Sequence, residues 1–268
     1  MIGIENVKLD DYKDWKKIEV EILRDKNGNC ICIGCREIIN NDISAFPVLS
    51  ITNKIYQLIR YETIELINNL KIIGNINVIY AINSLSEEYK LIKYTEKAEN
   101  TLIEKVNKYP MERVLKRLKN GELIDAIVID GKNVCYESKL EQIAISVGEY
   151  IYYSDNLEKA ILKSSCMSKK VDDYFKLDKY SEMEKIDIEK ELERNDIEVF
   201  FTIAEAIRKE ISVEKICQIT KIDKLFVGSI YKIIKLENEL SLNYLTFKLV
   251  EKAMQVRTVW KSNCIFIW

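Results

Sequence analysis

The chain has 268 residues, 41 basic and 43 acidic, for a net charge of −2, and 47% of it is hydrophobic. That is enough for one large domain or two modest ones, and it excludes a broad cationic footprint for nucleic acid or an anionic membrane. The sequence holds no histidine, which removes every mechanism resting on imidazole, from serine and cysteine triads to His-ligated zinc. With 8 glycines and 2 prolines, it also lacks a glycine-rich phosphate loop. No apolar run approaches the ~20 residues that span a bilayer. The opening Met1 to Asp10 is not laid out as a leader peptide. A cytoplasmic protein without nucleic-acid or membrane partners is expected.

In chain order, Lys17 to Leu23 alternates, with Ile18, Val20 and Ile22 on one face and Lys17, Glu19 and Glu21 on the other. Asp25-Lys26-Asn27-Gly28-Asn29 predicts a hairpin turn, and Cys30 to Cys35 the return strand. Strict alternation places Cys30 and Cys32 on one face and Cys35 on the other. With seven cysteines in a reducing compartment, free thiols are expected; a zinc site would lack its fourth ligand. Ile55, Leu58, Ile59, Leu66 and Ile67 keep a helical period. Asn77 to Ile82 and Tyr89 to Tyr94 read as another hairpin, and Met111 to Leu118 as a helix behind Pro110. Ile143 to Tyr153 reads as one strand interrupted by Gly148.

Residues 166–195 read as a charged linker and helix. After them come helical periods through Phe200, Phe201, Ala204 and Ile207, then through Phe226, Ile230, Ile233 and Leu240, with Asp223 as an N-cap. Ser212 to Thr220 followed by Asp223 to Lys232 has a helix-turn-helix look. Its second helix opens on apolar or small residues instead of base-reading side chains, which argues against DNA. The tail from Val259 to Trp268 is apolar and aromatic.

Trp15-Lys16-Lys17-Ile18-Glu19-Val20-Glu21 followed by Arg24-Asp25-Lys26-Asn27-Gly28-Asn29-Cys30-Ile31 resembles a segment of the carbamoyl phosphate synthase large subunit. It opens the second half of that family's ATP-grasp module and reads W-K-E-x-E-x-E-V-x-R-D-K there. Pro47 to Gln57, Asn77-Val78-Ile79-Tyr80-Ala81, Tyr109-Pro110-Met111 and Ser146-Val147-Gly148-Glu149 resemble later blocks, in the same order. Phe201 to Leu240 is similar to the helical oligomerisation domain that follows. The resemblance implies an α/β fold: residues 1–165 as an ATP-grasp C-terminal-subdomain-like half with a mixed sheet, and 196–268 as an all-α oligomerisation-like domain. It also implies a protein partner or homo-oligomer through residues 196–268.

The same resemblance implies ATP and Mg²⁺ as cofactors, but the positions that would hold them are substituted. The W-K-E glutamate, which contacts the nucleotide sugar, corresponds to Lys17; the N-V-Q glutamine, a metal ligand, to Ile79. The Glu, Asn and Arg of I-E-M/V-N-P-R correspond to Lys93, Thr95 and Lys97. A hard cation needs oxygen donors, and a lysine ammonium carries its own positive charge. No catalytic residue is intact on this reading, and no metal or cofactor is expected. Lys17, Lys93 and Lys97 are instead candidates for holding a nucleotide tail or other anion. Two functions stay open: a catalytically inactive interaction or scaffold protein, and a fragment of a split synthase completed by a second chain.

Overall fold

A computed structural model describes residues 12, 14–84, 86–96, 105, 111–123, 142–171, 175–242 and 247–256. The chain divides into two compact units, residues 1–39 with 44–141, and residues 40–43 with 142–268. The boundary expected near residue 165 thus differs from the grouping by contacts, which falls near residue 141.

The first unit contains β1 (Lys16–Arg24), β2 (Cys30–Ile38), β3 (Ile43–Phe46), α1 (Asn53–Leu70), β4 (Gly74–Ile82), β5 (Tyr89–Glu96) and α2 (Met111–Lys119). Its strands lie in the order β5-β4-β1-β2-β3. Each described pairing among them is antiparallel. Ile18, Val20 and Ile22 share a face with Ile76, Val78, Tyr80 and Ile82 and pack under Ile55, Ile59 and Ile67 of α1. Thr52 caps α1 by accepting from the Ile55 N–H.

The β1–β2 turn is built on Asp25. Its buried carboxylate accepts from the Asn27 and Asn29 backbone N–H groups and from Asn29 Nδ2, at 2.8–3.0 Å. Gly28 supplies the positive φ of +93° that the turn requires.

Two bulges reset the pleat. Between β1 and β2, Glu21 faces Gly34 but Ile22 faces Cys32, so Ile33 is an extra residue. Cys30, Cys32 and Cys35 then oppose Arg24, Ile22 and Val20, and all three lie on the α1 side. The expected split of Cys35 from the other two is therefore wrong, because one inserted residue inverts every side chain beyond it. Burial pushes all three thiols up, Cys35 most. The described cysteines are free, and among the described residues no group of three metal-ligating side chains forms.

Between β4 and β5, Ile79 faces Lys93 but Tyr80 faces Leu91, so Ile92 is the extra residue.

The second unit opens on β6 (Ile143–Val147) and β7 (Tyr150–Ser154), an antiparallel hairpin. The single strand expected here folds back at Gly148, with φ at +59°. A Cβ at that position would come within 2.9 Å of Ile197 Cδ1, so glycine is required twice over. Helices follow: α3 (Leu157–Lys169), α4 (Asp178–Ser181), α5 (Lys185–Arg194), α6 (Val199–Arg208), α7 (Val213–Thr220), α8 (Lys224–Leu242) and α9 (Phe247–Val256). Asn156, Ser212 and Asp223 cap α3, α7 and α8.

The core of this unit includes Phe200, Phe201 and Ile203 with Phe226, Ile230 and Ile233. The stretch expected as a linker contributes buried Phe175, Tyr180, Ile188 and Leu192. The last two are one helical turn apart on α5, an apolar stripe inside a charged helix. The 259–268 tail lies outside the described residues.

Glu198 joins the ends of this charged region. It pairs with Lys169 and Lys179 and accepts from Tyr180 Oη at 2.6 Å. Burial raises its carboxyl, but hydrogen bonds from Lys169, Lys179 and Tyr180 outweigh that and hold it at about 2. A depressed carboxylate stabilises the fold above the unfolded value near 4.5 and loses that contribution as pH falls towards 2. Glu198→Gln should therefore lower the thermal midpoint at pH 7 and approach wild type near pH 2.5. The cost is about 1–2 kcal/mol, discounted for solvent screening. Melts at both pH values check this; an equal deficit at each would refute it.

Candidate functional site

The face of the first unit's sheet opposite α1 carries the positions singled out by sequence. The register aligns them in rows across β1, β4 and β5. Lys17 faces Ala81, which faces Lys90; Glu19 faces Ile79, which faces Lys93; Glu21 faces Asn77, which faces Thr95. Arg36 of β2 extends the Glu19 row. Four of the five substituted positions, Lys17, Ile79, Lys93 and Thr95, thus share one face. Lys97 lies outside the described residues.

Around them runs a buried polar network that sequence reading missed. Glu19, Glu21, Asn75 and Asn77 are each less than 5% exposed. Arg36 Nε donates to Glu19 Oε2 at 2.6 Å and its Nη2 pairs with the same oxygen. Asn77 Nδ2 donates to Glu19 Oε1, and Asn75 Nδ2 to Glu21 Oε1 at 2.8 Å. Asn77 Oδ1 is buried without a hydrogen-bond partner. The alternation of Lys17, Glu19 and Glu21 marked them as one face, but only packing decides whether that face is wet.

Two further side chains fix the loop entering α1. Glu37, 3% exposed, accepts from the Leu49 and Ser50 N–H groups at 3.3 Å and from Ser50 Oγ at 2.5 Å. Lys16 Nζ donates to the Ser50 carbonyl at 2.7 Å. Both are committed to scaffold bonds.

The donor set does not suit a magnesium nucleotide. In the row that the resemblance assigns to the metal, an isoleucine faces a lysine. Thr95 is the sole oxygen donor among the three equivalent positions, and a neutral hydroxyl offers a divalent cation no charge. Glu19, the carboxylate in that row, is already neutralised by Arg36 and accepts a hydrogen bond from Asn77.

Comparison with known proteins places this geometry in a lineage. Residues 2–127 match the family described as carbamoyl-phosphate synthase L chain, ATP binding domain. Residues 149–257 match carbamoyl-phosphate synthetase large chain, oligomerisation domain. The carbamoyl phosphate synthase large chain of Agathobacter rectalis is 28% identical over 277 aligned residues, covering 90% of this chain and 26% of that one. Those of Thermoanaerobacter sp. and Clostridium acetobutylicum are 27% and 25% identical, covering 96% and 84% of this chain. The chain spans about a quarter of the length of these relatives. Among solved structures, a biotin carboxylase domain of a thermophilic 2-oxoglutarate carboxylase aligns with 60% of this chain and 47% of its own, at a TM-score of 0.48 and 12% identity. The biotin carboxylase subunit of a pyruvate carboxylase gives 0.47, over 60% of this chain and 46% of that one. Two consecutive segments of a single larger protein are matched in order: over most of its length this chain is similar to part of the ATP-binding domain and to the oligomerisation domain of carbamoyl phosphate synthase large chains.

Proposed function

We propose that this chain does not perform the family's ATP-dependent chemistry by itself and serves as an interaction or scaffold protein. One observation carries the reading: the row that would have to present oxygen ligands presents Ile79 opposite Lys93, beside a Glu19 already paired to Arg36. Phosphoryl transfer depends on neutralising charge between phosphates, and this row adds an ammonium and no metal site. The match of residues 149–257 to an oligomerisation domain supports a protein partner or a second copy of the chain.

A second reading is a split synthase fragment completed by another polypeptide. It is favoured by the chain's span of about a quarter of its relatives.

The test is a thermal melt with ATP, with and without Mg²⁺, together with an assay for ADP release. A ligand at about 100 times its dissociation constant adds roughly 2.7 kcal/mol, a readable shift. No Mg²⁺-dependent shift and no ADP are expected. A Mg²⁺-dependent rise overturns the proposal. ADP formed only after adding the remainder of the Agathobacter rectalis large chain, as a separate polypeptide, selects the split-fragment reading.

A further inference from the structure

We infer that the sheet face bearing Lys17, Lys90 and Lys93 binds a compact polyphosphate directly, without a metal ion. The inference rests on the preceding reading in one respect, that this face has lost its divalent-cation site. Lys90 was invisible to simple alternation, which puts it on the face opposite Lys93. The bulge at Ile92 brings the two together, with Lys90 opposite Ala81 and Lys93 opposite Ile79. Lys17 lies on the far side of Ala81. At ~4.8 Å between strands and ~3.3 Å per residue, the three Cα atoms form a triangle with sides of about 7 to 12 Å. Lysine stems of about 6 Å let the ammoniums converge over that area, as a chain of two or three phosphates requires.

Three observations favour an anion over a solvated surface. Among the described residues, none of these lysines has a hydrogen bond or an ion pair. The carboxylates of the same face do not compensate them: Glu19 is held by Arg36 and Asn77, and Glu21 by Asn75. The floor between them is Ala81 and Ile79, and the fourth corner of the patch is Glu19, whose charge is met by Arg36. Lysines on β5 alone would be explained as guards on the last strand of the order, where they discourage edge-to-edge pairing. Lys17 stands on β1, interior to the sheet, and that explanation does not reach it.

The metal effect is the distinguishing mark. In a metal-dependent site Mg²⁺ is required; here it competes, because it neutralises the phosphates the lysines would hold.

The test is calorimetric titration of the full chain with inorganic triphosphate in EDTA at low salt, repeated with ATP in EDTA, and then with excess Mg²⁺. Binding without metal is expected, weakened at least threefold by Mg²⁺. Equal affinity for triphosphate and ATP would assign the site to the phosphates alone; tighter ATP binding would assign it to a nucleotide's tail. Lys90→Glu and Lys93→Glu, both at exposed positions, should each lower affinity about tenfold or more. Lys54→Glu, the same charge change on exposed α1, should change it less than twofold. No binding in EDTA overturns the inference and leaves the preceding proposal standing. An equal loss in Lys54→Glu also overturns it, by showing that only net charge is sensed. Binding that needs Mg²⁺ overturns both.

Discussion

Arg36→Ala is expected to destabilise the first unit by about 3 kcal/mol. The Glu19 side chain is 5% exposed and its charge is met by Arg36 Nε at 2.6 Å, by Arg36 Nη2 and by Asn77 Nδ2. Truncating Arg36 leaves a buried carboxylate with one neutral donor. Breaking a buried pair from one side costs about 3–5 kcal/mol, and the 24% exposure of Arg36 admits some water, which argues for the lower end. The pair itself need not stabilise: Glu19→Gln combined with Arg36→Met should cost less than Arg36→Ala alone, since neither variant side chain strands a charge. Urea unfolding, with hydrogen exchange of the β1 and β2 amides to localise the effect, measures both. A loss below about 1 kcal/mol in Arg36→Ala would mean that Glu19 is solvated and would overturn the buried network.

In the second unit, Phe201→Ala should cost about 3–5 kcal/mol. Phe201 is 1% exposed, and its ring meets Phe175 edge-on with centroids 5.0 Å apart. The loss combines transfer of a large apolar surface, a cavity that surrounding helices fill incompletely, and the aromatic contact. Phe201→Leu keeps much of the volume and should cost less than half as much. Thermal midpoints of the two variants provide the check. A Phe201→Ala midpoint within about 2 °C of wild type would show that Phe175 and its neighbours collapse freely into the gap, contrary to close packing.

Much of the fold could be read from local pattern. The Lys17–Leu23 alternation, the Asp25–Asn29 turn and the period of Ile55, Ile59 and Ile67 each point to one element, and each element is present. Gly148 was harder. Tyr150 to Tyr153 continue the strand propensity across it, so composition alone favoured one strand, while the required turn shows only in the backbone. Residues 175–192 carry so many charges that Phe175, Ile188 and Leu192 were hidden among them.

At the candidate site, the family resemblance brought Lys17, Ile79, Lys93 and Thr95 to attention, and the register does set them on one face. Resemblance marks positions that correspond to ligands in the family's pattern. It is silent on Arg36, whose pairing with Glu19 exists only because β2 lies beside β1. It is silent on Lys90 too, because a bulge leaves no mark in a spacing count. Cys35 joins the face of Cys30 and Cys32, against simple alternation, for the same reason.

The gathering of those thiols beneath α1 gives the chain a clock. Cys35 is 3% exposed in the first unit and Cys166 is 2% exposed in the second, and neither sulfur reacts with a reagent in solution until its own unit opens. The rate at which each is alkylated in the native protein is then the fraction of time that unit spends open, multiplied by the reactivity of a free thiol. Mass spectrometry of the labelled peptides would report the opening equilibria of two structures in one tube, with no probe added to the sequence.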